Sequence, residues 1–430
     1  MIYLDNSATT FPKPPQVSMA MSRAMAKFGA NPGRSGHAMS IAAAEEIFKC
    51  REAAASFFHA DGPECVVFTL NCTQAINMVL KGYVKPGDHI VTSCLEHNAV
   101  SRPLQTMADR MHVTFTEVTV TPGDNDATVN AFRQALKPNT SLIVCTHASN
   151  VWGIRLPVER IASLGREYGI PILVDAAQSA GVLPIDLQDS GIDFLCTAGH
   201  KGLYGPMGTG ILIAKNGEQL QTIIEGGTGT ESAFYKQPTA MPEHLESGTP
   251  NLAGIAGLRA GIQFVQSKTV KRIYLHEMKL IQTLYHGLKQ INGVKLYTQE
   301  PDMMHYAPVL SFNLEGKQSE WVGQKLNSMG IAVRAGLHCA PGLRAGDALR
   351  KAQQETGKAG TLWVPALVCR KTCPGTSIGG KDSVKGNRQG SLSRSITRRS
   401  DQNRKIKYCF LFCDFAGSLS KKSERTFLTS

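Results

Sequence analysis

Short apolar runs rich in β-branched residues alternate with longer amphipathic segments from about residue 65 onward. The runs at residues 66–68, 89–92, 141–144 and 172–174 predict buried strands, and the longer segments between them predict helices. Strands that alternate with helices in this way favour βαβ units and a mostly parallel sheet that is covered on both faces. The predicted fold class is therefore α/β.

The later part of the chain predicts a second, smaller α+β domain. Residues 251–291 have helical periodicity, and a further helix is predicted near residues 318–328. Three apolar runs are interpreted as strands of this domain: 294–297, 309–312 and 331–333. The predicted division is an N-terminal arm (1–12), a large domain (13–250), an incomplete small domain (251–341) and a tail (342–430).

The tail differs from the rest of the chain in composition, because Gly, Ser, Lys, Arg and Gln dominate and no hydrophobic period continues. The net charge is +12, and the whole excess lies in residues 341–430, so that residues 1–340 are neutral. The basic charge therefore gives no reason to expect a nucleic-acid partner for the main body, and we expect a disordered, solvated tail. A tail translated in a different reading frame, or a fusion artefact, is a further hypothesis.

The cysteine pattern and the chain start favour a cytoplasmic protein. Eleven cysteines form no compact disulfide framework, which favours reduced thiols. The start lacks a basic stretch followed by an apolar run, and no segment approaches the roughly 18 apolar residues of a membrane span. Two cysteine pairs in the tail could bind zinc, but 35 residues separate them and the tail has no histidine, so we predict no metal site: Cys369 with Cys373, and Cys409 with Cys413.

The most informative polar residues are Lys201 and Asp175, which lie 26 positions apart. Each follows a predicted strand, and parallel sheets bind ligands at the carboxyl ends of their strands. Pyridoxal phosphate needs both groups: a lysine to hold its aldehyde as a Schiff base, and an acid to keep its ring nitrogen protonated. The pair therefore predicts a site for this cofactor.

Seven short motifs occur in order around these two residues. They are YLDNSATT at 3–10, NCTQAIN at 71–77, EHN at 96–98, SNV at 149–151, VDAAQ at 174–178, GHK at 199–201 and ESGTPN at 246–251. From residue 1 to about 341, the chain resembles the fold-type I pyridoxal-phosphate enzymes of the class V aminotransferase group, and specifically the cysteine desulfurases. The resemblance implies a large domain built on a seven-stranded, mostly parallel sheet.

The resemblance also implies roles for residues around the cofactor ring. Lys201 would form the Schiff base and move the substrate α-proton, which requires a lowered pKa. Asp175 would pair with the ring nitrogen, and Gln178 would donate to the phenolic oxygen. His97 would stack on the ring and transfer protons, and Asn150 would contact the ring oxygen and the substrate carboxylate. Structural alternatives stay open for three of them: a helix cap for Asp175, a structural histidine for His97 and a turn residue for Asn150.

A second group of residues would hold the cofactor phosphate. Cys72 and Thr73 begin a predicted helix, whose N-terminus offers backbone N–H groups, and His200 would be a further donor. The sequence has Ala198 where the family usually has Ser or Thr, so Thr197 is the candidate that replaces the missing hydroxyl.

The resemblance further implies a homodimer and a sulfur acceptor. Thr228 lies in a Gly-rich loop similar to the one that reaches the partner's phosphate in the family's dimers. The segment RAGLHCAP at 334–341 resembles the acceptor-cysteine segment, so Cys339 would be the nucleophile. The family's carboxylate-binding arginine is not recognisable after residue 341, and Arg334 is the candidate that partly compensates.

The function predicted from these residues is conversion of L-cysteine to L-alanine, with the sulfur carried as a persulfide on Cys339. An unidentified protein would then receive the sulfur for iron–sulfur clusters, tRNA thiolation or another pathway. Two alternatives stay open: a selenocysteine lyase or other class V enzyme that does not need Cys339, and an inactive cofactor-binding or truncated protein.

Overall fold

A computed structural model describes residues 1–33 and 36–336 of the 430-residue chain. The predictions for Cys339, for the tail and for the end of the small domain fall outside these described residues.

The elements of the described residues are eleven strands and ten α-helices. The strands are β1 (Ile2–Tyr3), β2 (Val66–Thr69), β3 (His89–Ser93), β4 (Thr114–Val118), β5 (Thr140–Thr146), β6 (Ile172–Asp175), β7 (Phe194–Ala198), β8 (Gly210–Ala214), β9 (Val294–Leu296), β10 (Phe312–Leu314) and β11 (Ile331–Ala332). The helices are α1 (Pro15–Phe28), α2 (Ala38–Phe58), α3 (Cys72–Tyr83), α4 (Asn98–Met111), α5 (Asn125–Ala135), α6 (Val158–Tyr168), α7 (Leu187–Ser190), α8 (Leu252–Lys268), α9 (Val270–Lys289) and α10 (Ser319–Ser328). No helix in the described ranges has the length and apolar content needed to cross a bilayer.

Seven strands form one sheet in the order β2-β8-β7-β6-β5-β3-β4. Neighbouring strands are parallel from β7 across to β4, whereas β8 is antiparallel to both β7 and β2. The predicted α/β fold with a mostly parallel, seven-stranded sheet is therefore confirmed. Because the parallel strands all end at one edge, the residues that follow β5 and β6 lie close together.

The central strands are buried on both faces. In β5, Ile143 and Cys145 pack into one hydrophobic core with residues of α2, α5 and α6. Leu142 and Val144 pack into a second core with residues of α3 and α4. A strand buried on both faces has a continuous apolar run rather than an alternating one, which is the pattern of this sequence.

The elements predicted for the small domain begin with α8. The predicted helical region at 251–291 forms two helices, α8 and α9, and the predicted strand at 294–297 corresponds to β9. The strand predicted at 309–312 begins three residues later, because the preceding backbone contacts the loop after β5. There, the Ala307 N–H donates to the Gly153 carbonyl at 2.6 Å, and the Ser311 hydroxyl donates to the Val151 carbonyl. The division of the chain into domains stays a prediction.

The N-terminal arm connects the last described strand with the large sheet. The strand β1 pairs in parallel with β11, and the N–H of Leu4 donates to the Ala332 carbonyl at 2.9 Å. Farther along the arm, the N–H of Thr10 donates to the His200 carbonyl at 3.1 Å. One short segment thus contacts both the strand that leads to Arg334 and the turn that carries Lys201.

Candidate active site

A cavity of about 180 Å³ opens at the carboxyl ends of β5, β6 and β7. Eight of the residues singled out in the sequence line it: Cys72, Thr73, His97, Asn150, Asp175, Gln178, His200 and Lys201. They come from five separate segments of the chain. The sequence motifs therefore converge at one site.

Asp175 is the last residue of β6, and only 4% of its surface is exposed. Its Oδ1 accepts two hydrogen bonds, from the Ala177 N–H at 2.9 Å and from the Cys72 thiol at 3.4 Å. No donor among the described residues is bound to Oδ2. The carboxylate is thus held by one oxygen, and the other is available to a group in the cavity.

Lys201 lies in a tight turn after β7, and this turn packs directly on the loop after β6. A Cβ atom on Gly202 would lie 2.0 Å from the Ala180 carbonyl oxygen, and one on Gly181 would lie 2.3 Å from the Gly202 oxygen. Only glycines permit this backbone approach. Burial lowers the pKa of the Lys201 ammonium group, and the nearby carboxylate of Asp175 opposes this effect. The neutral amine needed for proton transfer is thereby favoured.

His97 caps the N-terminus of α4, because its Nδ1 accepts a 3.0 Å hydrogen bond from the Ala99 N–H. An acceptor nitrogen carries no proton, so the neutral ring carries its proton on Nε2. Burial lowers the pKa of this ring, which keeps it neutral. His97 therefore has a structural role, as the cap of α4, together with a position on the cavity wall.

Two amide side chains form another part of the wall. Gln178 donates from Nε2 to the Ser7 carbonyl at 3.0 Å, which joins the loop after β6 to the N-terminal arm. Asn150 lies in the turn after β5 and lines the cavity.

The phosphate candidates lie at the start of α3. The Asn71 side chain caps this helix by accepting from the Gln74 N–H at 2.9 Å, so Cys72 and Thr73 form the first turn. The first N–H groups of a helix have no partner within the helix, and they attract anions. His200 lines the same cavity, and its buried Nδ1 has no hydrogen-bond partner among the described residues. Burial lowers the pKa of this ring to about 4, so it is a neutral donor or acceptor at physiological pH.

The family model described as aminotransferase class-V matches residues 2–362. The chain belongs to the class-V aminotransferase family. Enzymes of this family depend on pyridoxal phosphate. The match continues about 20 residues beyond residue 341, where the resemblance described above ends.

Individual relatives are similar to this chain over most of its length. A probable cysteine desulfurase of Mycolicibacterium paratuberculosis is 36% identical over 80% of this chain, and one of Methanothermobacter thermautotrophicus is 33% identical over 79%. The chain spans 51% of the first relative and 84% of the second. The solved apo cysteine desulfurase of Thermococcus onnurineus NA1 has a TM-score of 0.80 at 28% identity, covering 98% of this chain and 95% of that one.

The cavity of this family member fits its cofactor. The helix N-terminus and His200, whose Nδ1 has no partner within residues 1–33 and 36–336, are suited to a phosphate. Oδ2 of Asp175 is suited to a protonated ring nitrogen. Lys201 supplies an amine whose lowered pKa favours bond formation with an aldehyde.

Three predicted site residues lie outside this cavity. Thr197 is buried in β7 and its hydroxyl donates to the Ala176 carbonyl at 3.4 Å, so it does not line the site as a replacement hydroxyl. Thr228 is partly exposed and lines a larger cavity of about 770 Å³. Arg334 is exposed, and its charge adds to the effect of burial in lowering the pKa of Lys201 and of His97.

Sequence reasoning missed two acids beside the site. Glu96 is 1% exposed, accepts a 2.9 Å hydrogen bond from the Thr146 N–H and has a pKa raised by burial to about 8. Asp5 has a buried Oδ1 without a hydrogen-bond partner among the described residues, and burial raises its pKa against the opposing charges of Arg334 and Lys201. Both acids lie within the motifs given above: Glu96 precedes His97, and Asp5 follows β1. These positions were the sequence signal that could have identified them as site residues.

Proposed function

We propose that this member of the class-V aminotransferase family is a cysteine desulfurase. The observation that carries the proposal is the convergence of Lys201, Asp175 and His97 on one small cavity, in a chain 33–36% identical to probable cysteine desulfurases. When bound, pyridoxal phosphate supplies an electron sink that weakens the bonds around the substrate Cα. The chain's own residues supply the rest of the chemistry.

Lys201 is the proposed base. Its Nζ takes the proton from the substrate Cα, and the lowered pKa favours the neutral amine that can accept it. His97 transfers protons through Nε2, because its Nδ1 accepts the hydrogen bond that caps α4. Asp175 keeps the cofactor ring protonated through Oδ2, and Gln178 and Asn150 lie on the wall where ring and substrate oxygens would lie.

The proposed sulfur acceptor is Cys339, which lies outside the described residues. Its sulfur attacks the substrate sulfur, so that the Cβ–S bond breaks and an S–S bond forms. L-Cysteine and the thiol of Cys339 thereby become L-alanine and a persulfide on Cys339, which a sulfur-acceptor protein would consume. Arg334 follows β11, five residues before Cys339, and is the proposed partner of the substrate carboxylate.

We also propose that two copies associate through the larger cavity. Several large apolar side chains at or beside it are exposed, among them Phe48, Leu70 and Ile224 at 50%, 62% and 51%. Thr228 lines the same surface and would face the partner's phosphate. Light scattering on wild type and Phe48→Asp tests this directly: the wild type is expected as a dimer and the variant as a monomer.

The enzymatic proposal is tested by incubating the purified full chain with pyridoxal phosphate, L-cysteine and a reductant, while alanine and sulfide are measured. Equal amounts of both products are expected, with none from Lys201→Ala or Cys339→Ala. Parallel reactions with L-selenocysteine distinguish a cysteine desulfurase from a selenocysteine lyase. If the protein is a selenocysteine lyase, Cys339→Ala retains activity. Bound cofactor without any product would instead support the inactive protein. The cytoplasmic location and the pathway of the acceptor stay proposals.

A further inference from the structure

We propose that Cys72 is a positioning residue that orients Asp175 toward the cofactor ring. The proposal rests on the cofactor site described above and deepens it. It concerns a contact within this chain, between the first residue of α3 and the last residue of β6.

The contact fixes one oxygen of the carboxylate. The Cys72 thiol lies 3.4 Å from Oδ1 of Asp175, and the Ala177 N–H reaches the same oxygen at 2.9 Å. These two donors come from different segments, the start of α3 and the loop after β6, and together they fix the orientation of the carboxylate. Since Oδ2 has no bound donor among the described residues, it is the oxygen left for a protonated ring nitrogen.

The thiol is suited to this role because it stays protonated. Burial and the adjacent carboxylate both raise the pKa of Cys72 well above its usual value. A thiolate there would be buried beside a second negative charge, which is unfavourable. Cys72 therefore donates its S–H and is not a nucleophile at neutral pH.

The position of Cys72 also distinguishes it from the other buried cysteines. It lines the cavity, whereas Cys65, which is equally exposed at 8%, lies at the end of a short 3₁₀ turn away from it. Cys65→Ala is therefore a matched control for the loss of a buried thiol. Cys72→Ser keeps a donor at nearly the same place, and Cys72→Ala removes it.

The test measures equilibrium binding of two probes to apoprotein by fluorescence. The probes are pyridoxal phosphate and its 1-deaza analogue, whose ring has carbon in place of nitrogen and cannot bind the Asp175 carboxylate. We expect Cys72→Ala to weaken pyridoxal phosphate binding about 5-fold, which corresponds to about 1 kcal/mol. Cys72→Ser and Cys65→Ala are expected to stay within about twofold of wild type, and the deaza analogue is expected to bind all four proteins alike.

Two results would overturn the proposal. An equal loss for both probes in Cys72→Ala would show that the side chain only fills space, and an unchanged affinity for pyridoxal phosphate would show that its donor has no effect on Asp175. Wild-type protein that binds neither probe would reject the cofactor site itself, and with it both proposals. Thermal unfolding of each apoprotein shows whether a variant is folded before its affinity is compared.

Discussion

The ammonium group of Lys13 lies 2.6 Å from the carbonyl oxygen of His200, the residue before Lys201. The same oxygen accepts from the hydroxyls of Thr9 and Thr10, each at 3.1 Å. The N-terminal arm therefore holds the backbone of the lysine turn with a charged donor and several neutral ones. Loss of these donors would leave a partly buried carbonyl with fewer hydrogen bonds at the site.

Replacement of Lys13 by Met should weaken this attachment. A hydrogen bond from a charged group contributes roughly 1.5–3 kcal/mol, so we expect the free energy of unfolding of the apoprotein to fall by about that amount. Urea unfolding measures it, with Lys27→Met at the end of α1 as a control that should change little. Equal effects from both substitutions would show that the Lys13 contact has no special role.

The close approach at Gly202 predicts a strong effect of a single methyl group. A Cβ there would lie 2.0 Å from the Ala180 oxygen, so Gly202→Ala must separate the lysine turn from the loop after β6. We expect at least a tenfold loss of pyridoxal phosphate affinity, because Lys201 and Asp175 lie on these two segments. Gly36→Ala, where a Cβ would meet no atom within 4 Å, is the control. Unchanged cofactor affinity in Gly202→Ala would contradict the packing.

The buried Glu96 predicts a pH dependence of stability. Its pKa is about 8 in the folded protein, and that of a free Glu side chain is about 4.3. Folding therefore takes up a proton between these values, and the stability associated with Glu96 is present below about pH 4 and is lost as the pH rises through 8.

Glu96→Gln removes this titration and keeps an oxygen that can accept from the Thr146 N–H. We expect the variant to gain stability relative to wild type from pH 5 to pH 8.5, by about 4 kcal/mol at most, since one pKa unit corresponds to about 1.4 kcal/mol. Unfolding at the two pH values measures the difference. A difference that does not change with pH would mean that Glu96 is not a neutral buried acid.

The two roles of His97 can be separated by substitution. Asn is a good N-cap residue, so His97→Asn should keep the stability of α4, whereas His97→Ala should lose about 1 kcal/mol. Both variants lack the Nε2 proton at the cavity, and we expect both to lose at least 90% of the alanine formed from L-cysteine. If His97→Asn kept wild-type turnover, the histidine would be only a cap.

The sequence predicted the sheet better than it predicted the contacts between distant segments. Buried strands such as β5 and β6 have continuous apolar runs that are readable in isolation, and the motif residues follow strand ends. The pairing of β1 with β11 involves two residues on each side, too few for a periodic pattern. The shifted start of β10 depends on a loop more than 150 residues away.

The difference between local patterns and distant contacts also explains which of the predicted site residues line one cavity. Eight of them share a cavity because strand topology alone brings strand ends together. The direction of an individual hydroxyl, such as that of Thr197 toward Ala176, depends on side-chain packing that no local pattern encodes. The Cys72 contact with Asp175 spans 103 positions and is visible only in the folded chain.

Borohydride reduction of the pyridoxal-phosphate-loaded protein, followed by peptide mass mapping, tests the cofactor site most directly. Reduction makes the bond between the cofactor and its lysine permanent. We expect the added cofactor mass on the peptide that contains Lys201, and on no peptide of Lys201→Ala. Cofactor mass on a different lysine of the wild type, or none at all after saturation with the cofactor, would contradict the assignment of Lys201.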